Sequence, residues 1–235
     1  EVQQRSHFLK QKRLVPHVFT MTATPIPRTV ALTLYGDLDL SQIKIMPQGR
    51  QKVTTWVVPA QKRDGAYDWI KKTLTETKSQ AFIICPFIEP SESMTTVKAA
   101  TTEYNRLRTD VFPGLRLALL HGKMKAKEKD QVMASMRAGE YDILVATPVV
   151  EVGIDLPSAT IILIEDADKF GLAQLHQLRG RVGRSNQKSY CLLFSQTSDT
   201  TRIKAMENVF SGIELAELDL KLRGPGEIYG TAQHG

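Results

Sequence analysis

The chain has 235 residues, 42% hydrophobic and 24% charged, the balance of an ordinary globular protein with enough length for a sizeable core. Lysine and arginine outnumber aspartate and glutamate by 31 to 25, a formal net charge of +6, which suits a polyanionic partner without specifying one. No run of eighteen apolar residues occurs, and Cys85 and Cys191 sit inside apolar runs without CxxC or Cys/His spacing, so neither a membrane span, a metal site nor a disulfide scaffold is expected, and the cysteines are expected as reduced core residues of a cytoplasmic protein.

In chain order, residues 1 to about 50 carry one apolar run, "HVFTM", then "TATPIPRT" and a joint containing proline and glycine, "MPQGRQK". That is too little for a domain. Six short apolar runs rich in β-branched residues follow, at 53–58, 81–86, 115–121, 142–147, 159–166 and 189–194. Helical spacing over 62–78, 95–109, 126–138 and 171–179 fills most of the gaps between them. Strand and helix in alternation predict an α/β fold with a mainly parallel sheet covered on both faces. In such sheets ligands sit beyond the carboxyl ends of the strands, which is where "HGKMK", "ATPVVEVGID" and "EDADKFG" fall. A helix over 198–209, a turn at Ser211 and Gly212, a second helix over 213–222 and the loop "RGPGEIYG" complete the chain.

The stretch "QLRGRVGR", residues 177–184, places three arginines and two glycines in eight positions. Traced as a continuing helix at about 100° per residue, it puts Gln177, Arg181 and Arg184 on one side and Leu175, Leu178 and Val182 on another. Gly180 and Gly183 form a third strip, where a neighbouring backbone can come close. Arg179 points elsewhere and is expected in a surface ion pair. Taken alone, the arginines also suit a solvated basic helix end, where cations complement the helix dipole.

The order "TATPIPRT", "ATPVVEVGIDLP", "QLHQLRGRVGR" resembles the helicase-type motors of superfamily two. Within it, "MTATPIPRTVALTLYGDLDLS", "PQGR", "FIEPSESM", "LLHGKMKAKEKDQVM", "FGLAQLHQLRGRVGRSNQKSYCLLF" and "DLKLRGPGEIYGTAQHG" resemble the RecG family of branch-migration helicases. The transcription-repair coupling translocases share "LAQLHQLRGRVGR" and a similar tail, whereas "YGDLDLS" and "PQGR" favour the RecG family. The resemblance implies an ATP-driven translocase on double-stranded DNA that remodels stalled forks and Holliday junctions in repair and recombination, with two RecA-like lobes closing on ATP and Mg²⁺. No G-x-x-x-x-G-K-[ST] string occurs in the chain, and the acidic pair that holds Mg²⁺ upstream of "TATP" is not in it. The nucleotide is therefore expected to be held mainly by a first lobe outside the chain, and the fragment to be inactive alone. The resemblance divides the chain into the tail of lobe one and the interlobe joint (1–50), a second RecA-like lobe (51–196), and a RecG-type helical hairpin and loop, cut short (197–235).

By the same resemblance, Arg181 and Arg184 are the catalytic arginine fingers and Gln177 belongs to their motif. Gly153 and Asp155, with Thr22 and Thr24, are implied in ATP binding and its coupling to lobe movement. Thr147 is implied as a DNA-phosphate contact, next to Pro148, where the family usually has threonine and where proline removes a hydroxyl and a backbone donor. Lys123, with Lys125, Lys127 and Lys129, reads either as a contact to the DNA backbone or as a solvated helix start. Arg223, Gly224, Gly226 and Gln233 match the hairpin and loop implied in translocation. The implied partners are branched double-stranded DNA and, in the same polypeptide, the first lobe and a fork-splitting wedge. A reading from another class also stands: a non-catalytic nucleic-acid-binding module whose arginines only grip phosphates.

Overall fold

A computed structural model describes residues 41, 51–86, 94–148, 156–184, 186–197 and 200–223. Thr22, Thr24, Gly153, Asp155, Gly224, Gly226 and Gln233 lie outside the described residues, as does the side chain of Arg223. Six strands form one parallel sheet: β1 (Thr54–Val58), β2 (Gln80–Ile84), β3 (Leu117–Leu120), β4 (Ile143–Ala146), β5 (Ala159–Ile164) and β6 (Tyr190–Phe194). Their order across the sheet is β1-β6-β5-β2-β4-β3, with every pairing parallel. All six expected runs are therefore strands.

The helices are α1 (Arg63–Thr77), α2 (Met94–Arg106), α3 (Ala126–Arg137), α4 (Leu172–Arg179), α5 (Thr201–Asn208) and α6 (Gly212–Arg223). Because side chains alternate along a strand, the central strands feed two cores. Phe82, Ile84, Leu144, Ala146, Ile162, Ile164 and Leu193 face one, against Met136 of α3, Leu175 of α4, Met206 of α5 and Leu215 of α6. Ala81, Ile83, Ile143, Val145, Ile161, Leu163 and Leu192 face the other, against Ile70 and Leu74 of α1 and Ala100 of α2. The two C-terminal helices thus share a core with the sheet. Both cysteines are free and buried, and burial pushes the Cys191 thiol up to about 12.

One helix departs from the spacing. The expected helix over 95–109 is α-helical only to Arg106, after which Leu107–Val111 widens into a π turn. Phe112 N–H donates to Leu107 O at 2.7 Å, and both residues are fully buried. The wider turn lets two apolar side chains five positions apart reach the same core, where a ring of that size is worth roughly 1.5–3 kcal/mol.

Candidate active site

The site of interest surrounds the end of α4. That helix stops at Arg179, and Gly180 closes it, its N–H bonding to His176 O at 3.0 Å. The next two residues continue as a tight turn, Arg181 N–H to Leu178 O at 3.0 Å and Val182 N–H to Arg179 O at 3.4 Å. Gly183 then reverses the backbone at φ +74°. The helix thus ends where the spacing over 171–179 puts it, but the stretch traced as its continuation through 184 is a turn, and Gln177, Arg181 and Arg184 do not share one helical face. Glycine is the reason at 183, since only it adopts that φ without strain. Gln177 lies half-buried in the last turn of α4, Arg181 half-buried in the turn, and Arg184 exposed beyond it. Arg184 Nε approaches Gly180 O at 3.5 Å.

A close approach occurs at Gly183, though by a side chain rather than by the backbone expected there. A Cβ there would lie 2.7 Å from Val53 Cγ2 and 3.7 Å from Gln51 O. Substituting Gly183→Ala therefore meets both a left-handed φ and a stiff β-branched side chain, and is expected to cost about 2–4 kcal/mol. A shift of less than 1 kcal/mol in the urea midpoint free energy of the 235-residue chain would show that the seat is soft.

Arg179 corrects the expectation of a surface ion pair. It is 4% exposed, and its guanidinium donates to Met206 O at 2.7 Å and to Val209 O at 3.1 Å, both at the end of α5. It also contacts His176 Nδ1 at 3.0 Å. No carboxylate is among these partners. Burial pushes its pKa down, yet a guanidinium stays charged in proteins, so the two carbonyls satisfy a buried cation. The other end of α4 is held by α5 together with α6. Gly171 stands at the N-cap and has no side chain to offer, so Asp219 of α6 accepts the Leu172 N–H at 3.2 Å. Arg202 of α5 braces Asp219 at 3.3 Å and donates to Asp168 O at 2.6 Å and Phe170 O at 2.8 Å.

Elsewhere at the carboxyl ends, Thr147 follows β4 and is fully buried, its N–H bonded to Leu120 O at 3.2 Å. Pro148, next to it, is buried as well. Lys123 is exposed in the turn after β3, with Lys125 and Lys127 exposed beside it. Lys129 differs from them: its ammonium donates to Gly122 O at 2.6 Å and closes the turn. Glu128 accepts the Lys125 N–H at 2.9 Å and caps α3.

A buried polar cluster at the end of β5 went unread in the sequence. Glu165, 7% exposed, accepts from Tyr67 OH at 2.8 Å and lies 3.5 Å from Arg63. Arg106 in turn donates to Tyr67 OH at 3.1 Å. Burial is the largest influence on Glu165 and holds its carboxyl above the usual range, against the opposing pull of Tyr67 and Arg63. Burial, with Glu165 beside it, also raises Tyr67, which stays a neutral donor. Because the folded pKa of Glu165 lies above its unfolded value, the stability it contributes is full below the unfolded pKa and is lost as pH rises through the folded one. Glu165→Gln is thus expected to gain stability over the parent at pH 8 and to lose that advantage at pH 4, read from urea midpoints. An advantage independent of pH would assign the effect to packing.

The sheet order, the helices on both faces and the arginine-bearing turn after the fifth strand define a RecA-like helicase C-terminal lobe. The chain belongs to the family of helicase conserved C-terminal domains, whose profile matches residues 65–186. It is 48% identical over 237 residues to the ATP-dependent DNA helicase RecG of Synechocystis sp., a match covering all of this chain and 28% of that protein. Identity to the ATP-dependent DNA helicase RecG of Thermotoga maritima is 44% over 239 residues, covering all of this chain and 30% of the relative. Among solved structures, RecG bound to a three-way DNA junction superposes with a TM-score of 0.72 at 44% identity, over 88% of this chain and 27% of that one. The chain thus spans less than a third of the length of these relatives.

Proposed function

We propose that this chain is the C-terminal motor portion of an ATP-dependent DNA helicase of the RecG kind, which moves along double-stranded DNA and remodels forks and Holliday junctions. The observation that carries the proposal is the presentation of Arg184: exposed, just beyond a turn whose backbone is seated on Val53. A guanidinium so placed suits a phosphate brought by another body, because its planar fork matches phosphate oxygens. In this reading ATP and Mg²⁺ are held mainly by a first lobe in the same polypeptide, and the nucleotide supplies the γ-phosphate at which charge develops. Arg184 and Arg181 would stabilise that charge, Gln177 would serve the same motif, and Gly153, Asp155, Thr22 and Thr24 would couple the nucleotide to lobe movement.

The clamp on both ends of α4 supports a path from the finger turn to the hairpin, and so toward Arg223, Gly224, Gly226 and Gln233 as translocation residues. Lys123 would contact DNA phosphates, which positions a protein without reading sequence. Thr147 would join it only where its buried hydroxyl becomes accessible on DNA. Residues 1–50 would then be the tail of lobe one and the interlobe joint, 51–196 the second lobe, and 197–235 the hairpin and its loop. The fork-splitting wedge belongs to the remainder of the polypeptide. Among the described residues no helix is long and apolar enough to cross a membrane, and a cytoplasmic setting fits a motor on chromosomal DNA. Arg184→Ala in the full-length protein tests the proposal: ATP hydrolysis collapses while fork binding holds. Unchanged hydrolysis with weaker binding would leave a phosphate grip instead.

A further inference from the structure

Phe210 stands in the turn between α5 and α6 and is 36% exposed. Two cations lie over its ring, the Lys52 ammonium at 4.9 Å and the Arg179 guanidinium at 5.3 Å from the centroid. Three segments distant in sequence meet on it. Lys52 belongs to the stretch leading into β1, Phe210 to the hairpin turn, and Arg179 to the last turn of α4. The residue after Lys52 is Val53, whose methyl occupies the open side of Gly183. The stretch leading into β1 therefore reaches the finger turn by two routes, once through the Phe210 ring and once through the Gly183 backbone. An aromatic face attracts cations through its quadrupole, so a ring serves here where an aliphatic side chain of equal bulk does not.

We propose that Phe210 is a positioning residue for the motor: it ties the joint at Lys52 to Arg179, and so holds the turn that presents Arg184 in register with the segment that connects the lobes. This rests on the proposed motor function. A displacement of the joint pulls Lys52 across the ring and is passed to Arg179, and from Arg179 to the carbonyls that end α5. The ring thereby adds a link that the Arg202–Asp219 clamp, at the far end of α4, does not supply.

The test uses full-length protein carrying Phe210→Leu, Phe210→Trp, Lys52→Met, or Lys52→Met with Phe210→Leu. The readouts are fork unwound per ATP hydrolysed, kcat and KM for ATP, and the melting temperature. Phe210→Leu is expected to lower fork unwound per ATP by about two- to fivefold, the range of an exposed cation–ring contact, with KM for ATP and the melting temperature unchanged. Phe210→Trp restores the parent ratio. Lys52→Met gives the same loss, and the double variant adds nothing further, as expected of two groups acting through one contact. Parent-like coupling in Phe210→Leu overturns the proposal, and so does a loss that tracks a fall in melting temperature or one that tryptophan does not rescue. Arg184→Ala, run in parallel, separates the two claims. If it leaves hydrolysis intact the motor reading fails; if it abolishes hydrolysis while Phe210→Leu couples normally, only the positioning role fails.

Discussion

Replacing Arg184 by alanine in the full-length protein is expected to cut DNA-stimulated ATP turnover by roughly 10³-fold or more, with fork binding on the same preparation changed only a few-fold. Phosphoryl transfer leaves little covalent work for a protein, so the barrier is lowered mainly by positioning and by charge held ready where the transition state needs it. An arginine supplied from a second body completes that arrangement only on closure, which makes turnover report on closure. The side chain is exposed, so its removal opens no cavity and folding is expected to survive. Arg184→Lys is expected to recover little, because an ammonium presents a point charge where the fork presents two parallel donors. Turnover unaffected by either change would remove the finger assignment.

The second large effect belongs to Arg179. Arg179→Ala is expected to destabilise the 235-residue chain by about 2–4 kcal/mol, since it strips donors from one buried carbonyl, at about 1–3 kcal/mol, and from one partly buried carbonyl, and leaves a void beside them. Met206 O and Val209 O are those carbonyls. Lysine is a poor replacement, because one ammonium on a flexible stem does not span two acceptors as the guanidinium does. Urea denaturation followed by circular dichroism checks this. A loss below about 1 kcal/mol, the size of an exposed ion pair, would contradict the buried role.

The contrast between these two arginines marks what was legible in the sequence. Strands were legible because buried parallel strands read as unbroken apolar runs, "ILVA" and "LALL" among them. The close approach at Gly183 was legible because glycine has few reasons to stand between Val182 and Arg184. The end of α4 at Arg179 was legible too, but the course of 180–184 was not: Val182 keeps helical spacing with Leu175 and Leu178 and is fully buried, yet a turn delivers it to the core. Arg179 was not legible either, since its acceptors are main-chain carbonyls 27 and 30 residues away, and a carbonyl has no letter in the sequence. The π turn before Phe112 was hidden for a related reason, as it changes the hydrogen-bond partner without changing the apolar pattern.

The family profile ends at residue 186, yet the helix carrying its last motif is only eight residues long, about 12 Å of helix and far short of what holds together by itself in water. Its N-terminus borrows a carboxylate from residue 219, and its last arginine spends its donors on residues 206 and 209. Moving the motif into another chain without the following forty residues would deliver a helix that lacks these partners at both ends.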